Sequence, residues 1–281
     1  MCATREAPWS ILSGMAKVQL FKRSDDETDA EEVAETVEAD RRGLARRVSD
    51  STPATLLVAA HPRQAIVTAV ALAGAALVSG RPGREVGIVF ATVLVGQAIL
   101  GWHNDLVDRE RDAAHDTPRK PIAQGRLNAG NAWYALVIAL LLVIPLSISV
   151  GVTAGTLYLA SLVIGIVGNV ALRRGLLSPL PWMAAFALYP AYLSYGGYGG
   201  SADGDPPQVA MVVAAAFLGI GVHFLRAIWG LVEDDQDGWT YLPLVLGRRL
   251  GATRLLVVSA TYTGLVVAAL VILGSTVGLR Q

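Results

Sequence analysis

Asn104-Asp105-Leu106-Val107-Asp108-Arg109-Glu110-Arg111-Asp112 places carboxylates at 105, 108 and 112, directly after an apolar run that ends near Trp102. On a helix at roughly 100° per residue, those spacings of i, i+3 and i+7 fall within about 60° of one another. Asn104, Asp108 and Asp112 form an overlapping i, i+4, i+8 row on the same side. Acids crowded beside a membrane span are costly unless a cation sits among them. The cation that suits such oxygen ligands is Mg²⁺, which keeps several waters and bridges to phosphates. The competing reading is a solvated first turn beyond a span, and the extra Asn and the third in-phase Asp weigh against it.

The residues just after the acids point the same way. Asp116-Thr117-Pro118-Arg119-Lys120-Pro121 brings Arg119 and Lys120 close behind the row, one able to grip an anion as a fork and the other as a point charge. Metal and cations together describe a diphosphate site. Arg173 and Arg174 lie in a later connection and offer two more donors.

These residues need spans to position them. Hydrophobic residues make up 53% of the 281 and charged residues 16%, which is far more apolar than an ordinary soluble domain. Mean hydropathy is +0.48. Taking about 20 apolar residues per span, the chain reads as an all-α polytopic bundle with about seven spans, near 64–80, 86–103, 130–148, 151–171, 178–197, 208–230 and 252–274. Zero formal net charge gives no sign of nucleic-acid binding. The single Cys2 excludes an internal disulfide and a cysteine metal cage.

Arginine and lysine orient the bundle. Arg41, Arg42, Arg46, Arg47 and Arg63 precede the first span, and Arg109, Arg111, Arg119, Lys120 and Arg126 lie between the second and third. Arg173, Arg174, Arg248, Arg249 and Arg254 fall in the later connections on the same side. The opposite connections, 145–153 and 195–207, contain neither residue, and only Arg81 and Arg84 break the pattern. The positive-inside rule therefore puts the N-terminus and the acidic rows in the cytoplasm, with the protein in the plasma membrane. Residues 1–57, acidic from Asp25 to Asp40 and then basic, read as a disordered cytoplasmic tail, and 58–281 as the membrane domain. Met15 offers a second candidate start.

The motifs resemble the UbiA-type intramembrane prenyltransferases, whose first signature is N-D-x-x-D-x-x-x-D followed by K-P. Asn104, Asp105, Asp108 and Asp112 match it, and Lys120-Pro121 matches the K-P. His61-Pro62-Arg63-Gln64, Gly101-Trp102 and the stretch from Leu172 to Pro181 are similar to the actinobacterial branch, and the likeness covers roughly 57 to 260. It implies a nine-helix fold, here with two helices fewer. It also implies transfer from a prenyl diphosphate to a lipophilic acceptor, most simply an aromatic ring, with Mg²⁺ on Asp105, Asp108 and Asp112. The same architecture also accommodates terpene cyclisation, and a catalytically decayed membrane protein is the reading from outside enzymology.

The second signature departs from the pattern. Anchored on Gly238 and Leu242-Pro243, Asp234 takes the second Asp of D-x-x-x-D and Gly230 takes the first. Asp234 is thus expected to share in metal binding. Arg226 stands one turn before Gly230, where it could grip a phosphate and replace part of the lost charge; alternatively Glu233 and Asp237 hold a second ion. His103 and His223 each read as ligand-orienting or merely structural. Tyr158, Tyr189, Tyr192 and Trp182 read as lining an apolar cavity or as simple packing.

Overall fold

The computed structural model describes Glu38 and residues 48–197 and 206–278. The chain divides into two units, Met1–Ala54 and Thr55–Gln281. The expected tail lies outside the described residues up to 47, Glu38 aside, as do Met15 and 198–205 of the expected external loop.

Among the described residues from 52 onward, every element is helical: α1 Thr52–Ala59, α2 Pro62–Val78, α3 Gly83–Ala114, α4 Ala129–Ile148, α5 Val152–Gly168, α6 Pro179–Ser194, α7 Val209–Ala227, α8 Leu231–Gln236, α9 Leu242–Leu250 and α10 Ala252–Leu273. Each of the seven expected apolar segments is a helix. The chain is an all-α membrane protein. Four helical stretches are long and apolar enough to cross a bilayer, and the bent pair α1 and α2, 61° apart, makes a fifth candidate. At 17 and 16 residues, α5 and α6 are shorter than the usual span of about 20.

Prolines at the first turns of α2, α6 and α9 set the helix starts, because the missing N–H is unneeded there. From α2 to α7 each helix packs on its successor, and α10 returns to α7. The interfaces are built from small residues. Ala65, Ala69, Ala73 and Ala76 form the buried stripe of α2, the kind of surface that lets helix backbones approach where lipid removes the hydrophobic drive. A Cβ at Gly219 of α7 would lie 2.4 Å from the Trp182 carbonyl of α6. The larger apolar residues point outward instead. On α4, Leu141 and Ile144 are exposed while Ala132, Leu136, Ala139 and Val143 are buried.

The decisive element is α3. Its 32 residues extend about 48 Å at 1.5 Å per residue, against a hydrocarbon core of about 30 Å. The helix is thus longer than one crossing needs, and the acids occupy its last third as a continuation of the apolar part.

Candidate active site at the projecting end of the third helix

Asp105, Asp108 and Asp112 face inward at the end of α3, with 1%, 7% and 5% of their surfaces exposed. Their counter-charges come from three connections. The loop after α3 turns back because Thr117 donates its backbone N–H to the Asp112 carbonyl at 2.9 Å. Arg126 and Leu127 donate backbone N–H groups to the Pro121 carbonyl at 2.9 and 3.0 Å. Pro121, Ile122 and Leu127 are buried, which anchors the loop and aims Lys120 at the row. Lys120 Nζ lies 2.6 Å from Asp105 Oδ1, 3.2 Å from Asp112 Oδ2 and 3.4 Å from Asn104 Oδ1. Burial alone would lower the lysine pKa, but the charges of Asp105 and Asp112 outweigh it and hold the ammonium above its usual value.

The second connection is the bend between α1 and α2. His61 has φ of +52° and donates Nε2–H to Asp105 Oδ1 at 2.8 Å. Gly101 of α3 permits this approach, since a Cβ there would meet the Ala60 carbonyl carbon at 2.8 Å. The third connection follows α5, where Leu172 at φ +62° turns the chain and Arg173 pairs with Asp108. Asn104 donates Nδ2–H to Asp108 Oδ2 at 3.0 Å, one turn along the same helix. Of the cations expected to meet phosphate oxygens, Lys120 and Arg173 thus rest on the carboxylates themselves.

Asp105 Oδ2 and Asp112 Oδ2 are nevertheless buried without a hydrogen-bond partner. The 3.2 Å separation between Asp112 Oδ2 and Lys120 is an ion pair whose geometry is not that of a hydrogen bond, so the two observations are compatible. Asp105 Oδ2, without a hydrogen-bond partner, and Asp112 Oδ2, held by Lys120 alone, are hard donors of the kind a divalent cation takes. No group of three His, Cys, Asp or Glu among the described residues is arranged to hold one ion. One Mg²⁺ uses one or two carboxylates and leaves its remaining positions to water and phosphate.

The second acidic segment meets the same end of α3. Asp234 on α8 and Asp237 after it are both gripped by Arg111: Nη2 donates to Asp234 Oδ1 at 2.6 Å, and Nε donates to Asp237 Oδ2. His115 donates to Asp237 Oδ1 at 2.9 Å, and the Tyr241 hydroxyl donates to Asp234 Oδ2. Hydrogen bonds from Arg111 and then His115 hold the Asp237 carboxyl below the usual carboxylate range. Burial, followed by the Asp234 hydrogen bond, pushes the Tyr241 phenol up. Gly238 at φ +70° closes α8 with the turn that glycine favours, carrying Trp239 beneath Arg111, Arg173 and Arg174 at 4.4, 5.0 and 4.8 Å from its ring centroid.

Beside the row opens a cavity of about 910 Å³, its mouth included. His61, Asn104 and Arg226 stand on its polar side, and Leu100, Tyr158, Trp182, Phe186 and Tyr189 on its apolar side. Of the four aromatic residues expected to line such a space, Tyr192 is absent from its wall, being fully buried against Tyr158 at 4.9 Å between ring centroids. Arg226 lies over the Trp182 ring at 5.3 Å. Arg119 and Arg174 are exposed and bind none of the row's acids. His103 meets Asn169 Nδ2 at 3.2 Å, and His223 meets Ser178 Oγ at 3.0 Å, so both have structural partners.

Lys120 lies against the row, as its place in the sequence suggested, whereas the contacts of Arg111, His115 and Tyr241 with the second acidic segment were not foreseen. A basic residue wedged between Asp108 and Asp112 was the available signal for Arg111. Searches among curated proteins and among solved structures returned no match. A sequence model of the UbiA prenyltransferase family matches residues 65–279. With most of the membrane domain covered by that match, the chain belongs to the UbiA prenyltransferase family.

Proposed function

We propose that this membrane prenyltransferase transfers a prenyl group from a prenyl diphosphate to a lipophilic acceptor, most simply an aromatic ring. The observation that carries the reading is the row of buried carboxylates, with Asp105 Oδ2 lacking a hydrogen-bond partner, beside an aromatic-walled cavity. Asp105, Asp108 and Asp112 would hold Mg²⁺, which when bound supplies charge neutralisation to the departing diphosphate.

The chain's own residues do the rest. Lys120 and Arg173 exchange carboxylate oxygens for phosphate oxygens as the diphosphate arrives, keeping their charges at the same place. Arg226, at the cavity edge and with the Trp182 ring as its described partner, adds a donor to the same anion. Arg119 and Arg174 attract the anion from the surface. The prenyl tail enters the cavity, where Trp182, Phe186 and Tyr189 present ring faces to the allylic cation and keep water away from it. The carbon–oxygen bond breaks with its electron pair leaving on the diphosphate. A ring carbon of the acceptor then bonds to the allylic carbon, and the ring loses its proton. The lysine and arginine asymmetry supports a cytoplasmic N-terminus and cytoplasmic acidic rows, with the plasma membrane as the proposed location.

Purified protein supplied with Mg²⁺ and a prenyl diphosphate, with and without an aromatic acceptor, tests the proposal by mass spectrometry of the products. A prenylated acceptor is the expected product. A cyclic hydrocarbon released without acceptor would replace transfer by cyclisation.

A further inference from the structure

The two acidic segments at the end of α3 look alike in sequence and differ in what holds them. In the first, Asp105 Oδ2 lacks a hydrogen-bond partner and Asp112 Oδ2 has only its ion-pair contact with Lys120. In the second, all four carboxylate oxygens are engaged: Asp234 Oδ1 and Asp237 Oδ2 by Arg111, Asp234 Oδ2 by Tyr241 and Asp237 Oδ1 by His115. We infer that the Arg111 guanidinium is the built-in cation of the second segment, so that the chain holds its divalent metal on the first row alone.

Three observations support this assignment. The Arg111 side chain is 19% exposed and lies over the Trp239 ring, so packing on one side and a fork of donors on the other fix it in place. A metal ion binding at Asp234 and Asp237 would have to displace that fork together with the donors Tyr241 and His115, and would leave a part-buried guanidinium without its anions. The position one turn before Asp234 is Gly230, which contributes no carboxylate, and a Cβ there would already stand 3.2 Å from Asp234 Oδ2. The second segment therefore has no free carboxylate oxygen to offer an ion while Arg111 is in place. Its ionic contacts tie the last turn of α8 to the end of α3, holding the wall of the site in position without metal.

The inference rests on the proposed role of the first row, and a direct count of bound ions separates the two. Purified full-length protein in detergent is titrated with Mn²⁺ alone, and bound ions are counted from the loss of the free-ion electron paramagnetic resonance signal. Wild type should saturate at one ion per chain. Asp234→Asn should leave that count unchanged, Asp105→Asn should abolish it, and Arg111→Met should raise it towards two by freeing Asp234 and Asp237. Arg111→Lys keeps the charge and should stay at one, which covers the case in which Arg111→Met does not fold. Two ions on wild type, or loss of the ion in Asp234→Asn, would overturn the inference and leave the first row's role intact. No bound ion at all would overturn both.

Discussion

Replacing Lys120 by Met keeps the aliphatic stem and removes the ammonium that two buried carboxylates share. Breaking a buried ion pair from one side costs about 3–5 kcal/mol, because a buried charge is left uncompensated. Asp105 keeps His61, and the Asp112 contact is not an aligned hydrogen bond, so the low end, about 3 kcal/mol, applies. At roughly 2–4 °C per kcal/mol for a chain of this size, the variant should melt about 6–12 °C below wild type in EDTA. Thermal unfolding in detergent, followed by tryptophan fluorescence, measures this. Adding Mg²⁺ should then raise Tm more in Lys120→Met than in wild type, where the ion competes with Lys120 for the same oxygens; an ion at about 100 times its Kd contributes about 2.7 kcal/mol. A variant that melts with wild type in EDTA would refute the assignment of Lys120 as the row's counter-charge. A smaller Mg²⁺ response in the variant would refute the row as the metal's place.

Asp108→Asn should lower kcat for diphosphate release by at least about 100-fold, whereas Glu110→Gln, on an 88% exposed side chain, should stay within a few-fold; steady-state kinetics in micelles compares them. Asp237 is held below its unfolded pKa of about 3.9. Its contribution to stability is therefore complete above about pH 5 and is lost as pH falls through the folded value. The Tm gap between wild type and Asp237→Asn should accordingly be present at pH 5 and close in stronger acid. Gly230→Asp would crowd a second carboxylate against Asp234 and should lower Tm, by about 1–3 kcal/mol in stability terms, without the gain in ion binding that a restored ligand would give; calorimetric Mn²⁺ titration distinguishes the two outcomes.

Much of this architecture was legible in the chain itself because membrane spans announce themselves by length and apolarity. The seven segments from 64 to 274 are helices for that reason, and the Asn104 to Asp112 row was legible because its period is local to one helix. The number of spans was less legible, since α5 and α6 are shorter than a full crossing and α1 and α2 form one bent pair. Thr52 to Leu57, read as tail, belong to α1. The pairing of Arg111 with Asp234, 123 residues away, could not be read from periodicity, which carries no information about distant partners and leaves Arg111 as one more charge on a solvated face. The same limit applies to Lys120. Its sequence neighbourhood marks it as a cation near the acids, and phosphate is the partner its chemistry suggests, but only the turn anchored by Pro121, Ile122 and Leu127 shows that Asp105 and Asp112 hold it.

In the proposed reaction, the Asp105, Asp108 and Asp112 row activates a prenyl diphosphate with the help of a divalent ion. Release of inorganic diphosphate by the purified protein, followed with an allylic prenyl diphosphate and an aromatic acceptor while Mg²⁺ is varied against EDTA, tests this most directly. Release should require Mg²⁺ in wild type and disappear in Asp105→Asn. Release that persists in EDTA, or survives in Asp105→Asn at the wild-type rate, would contradict the assigned role of the row.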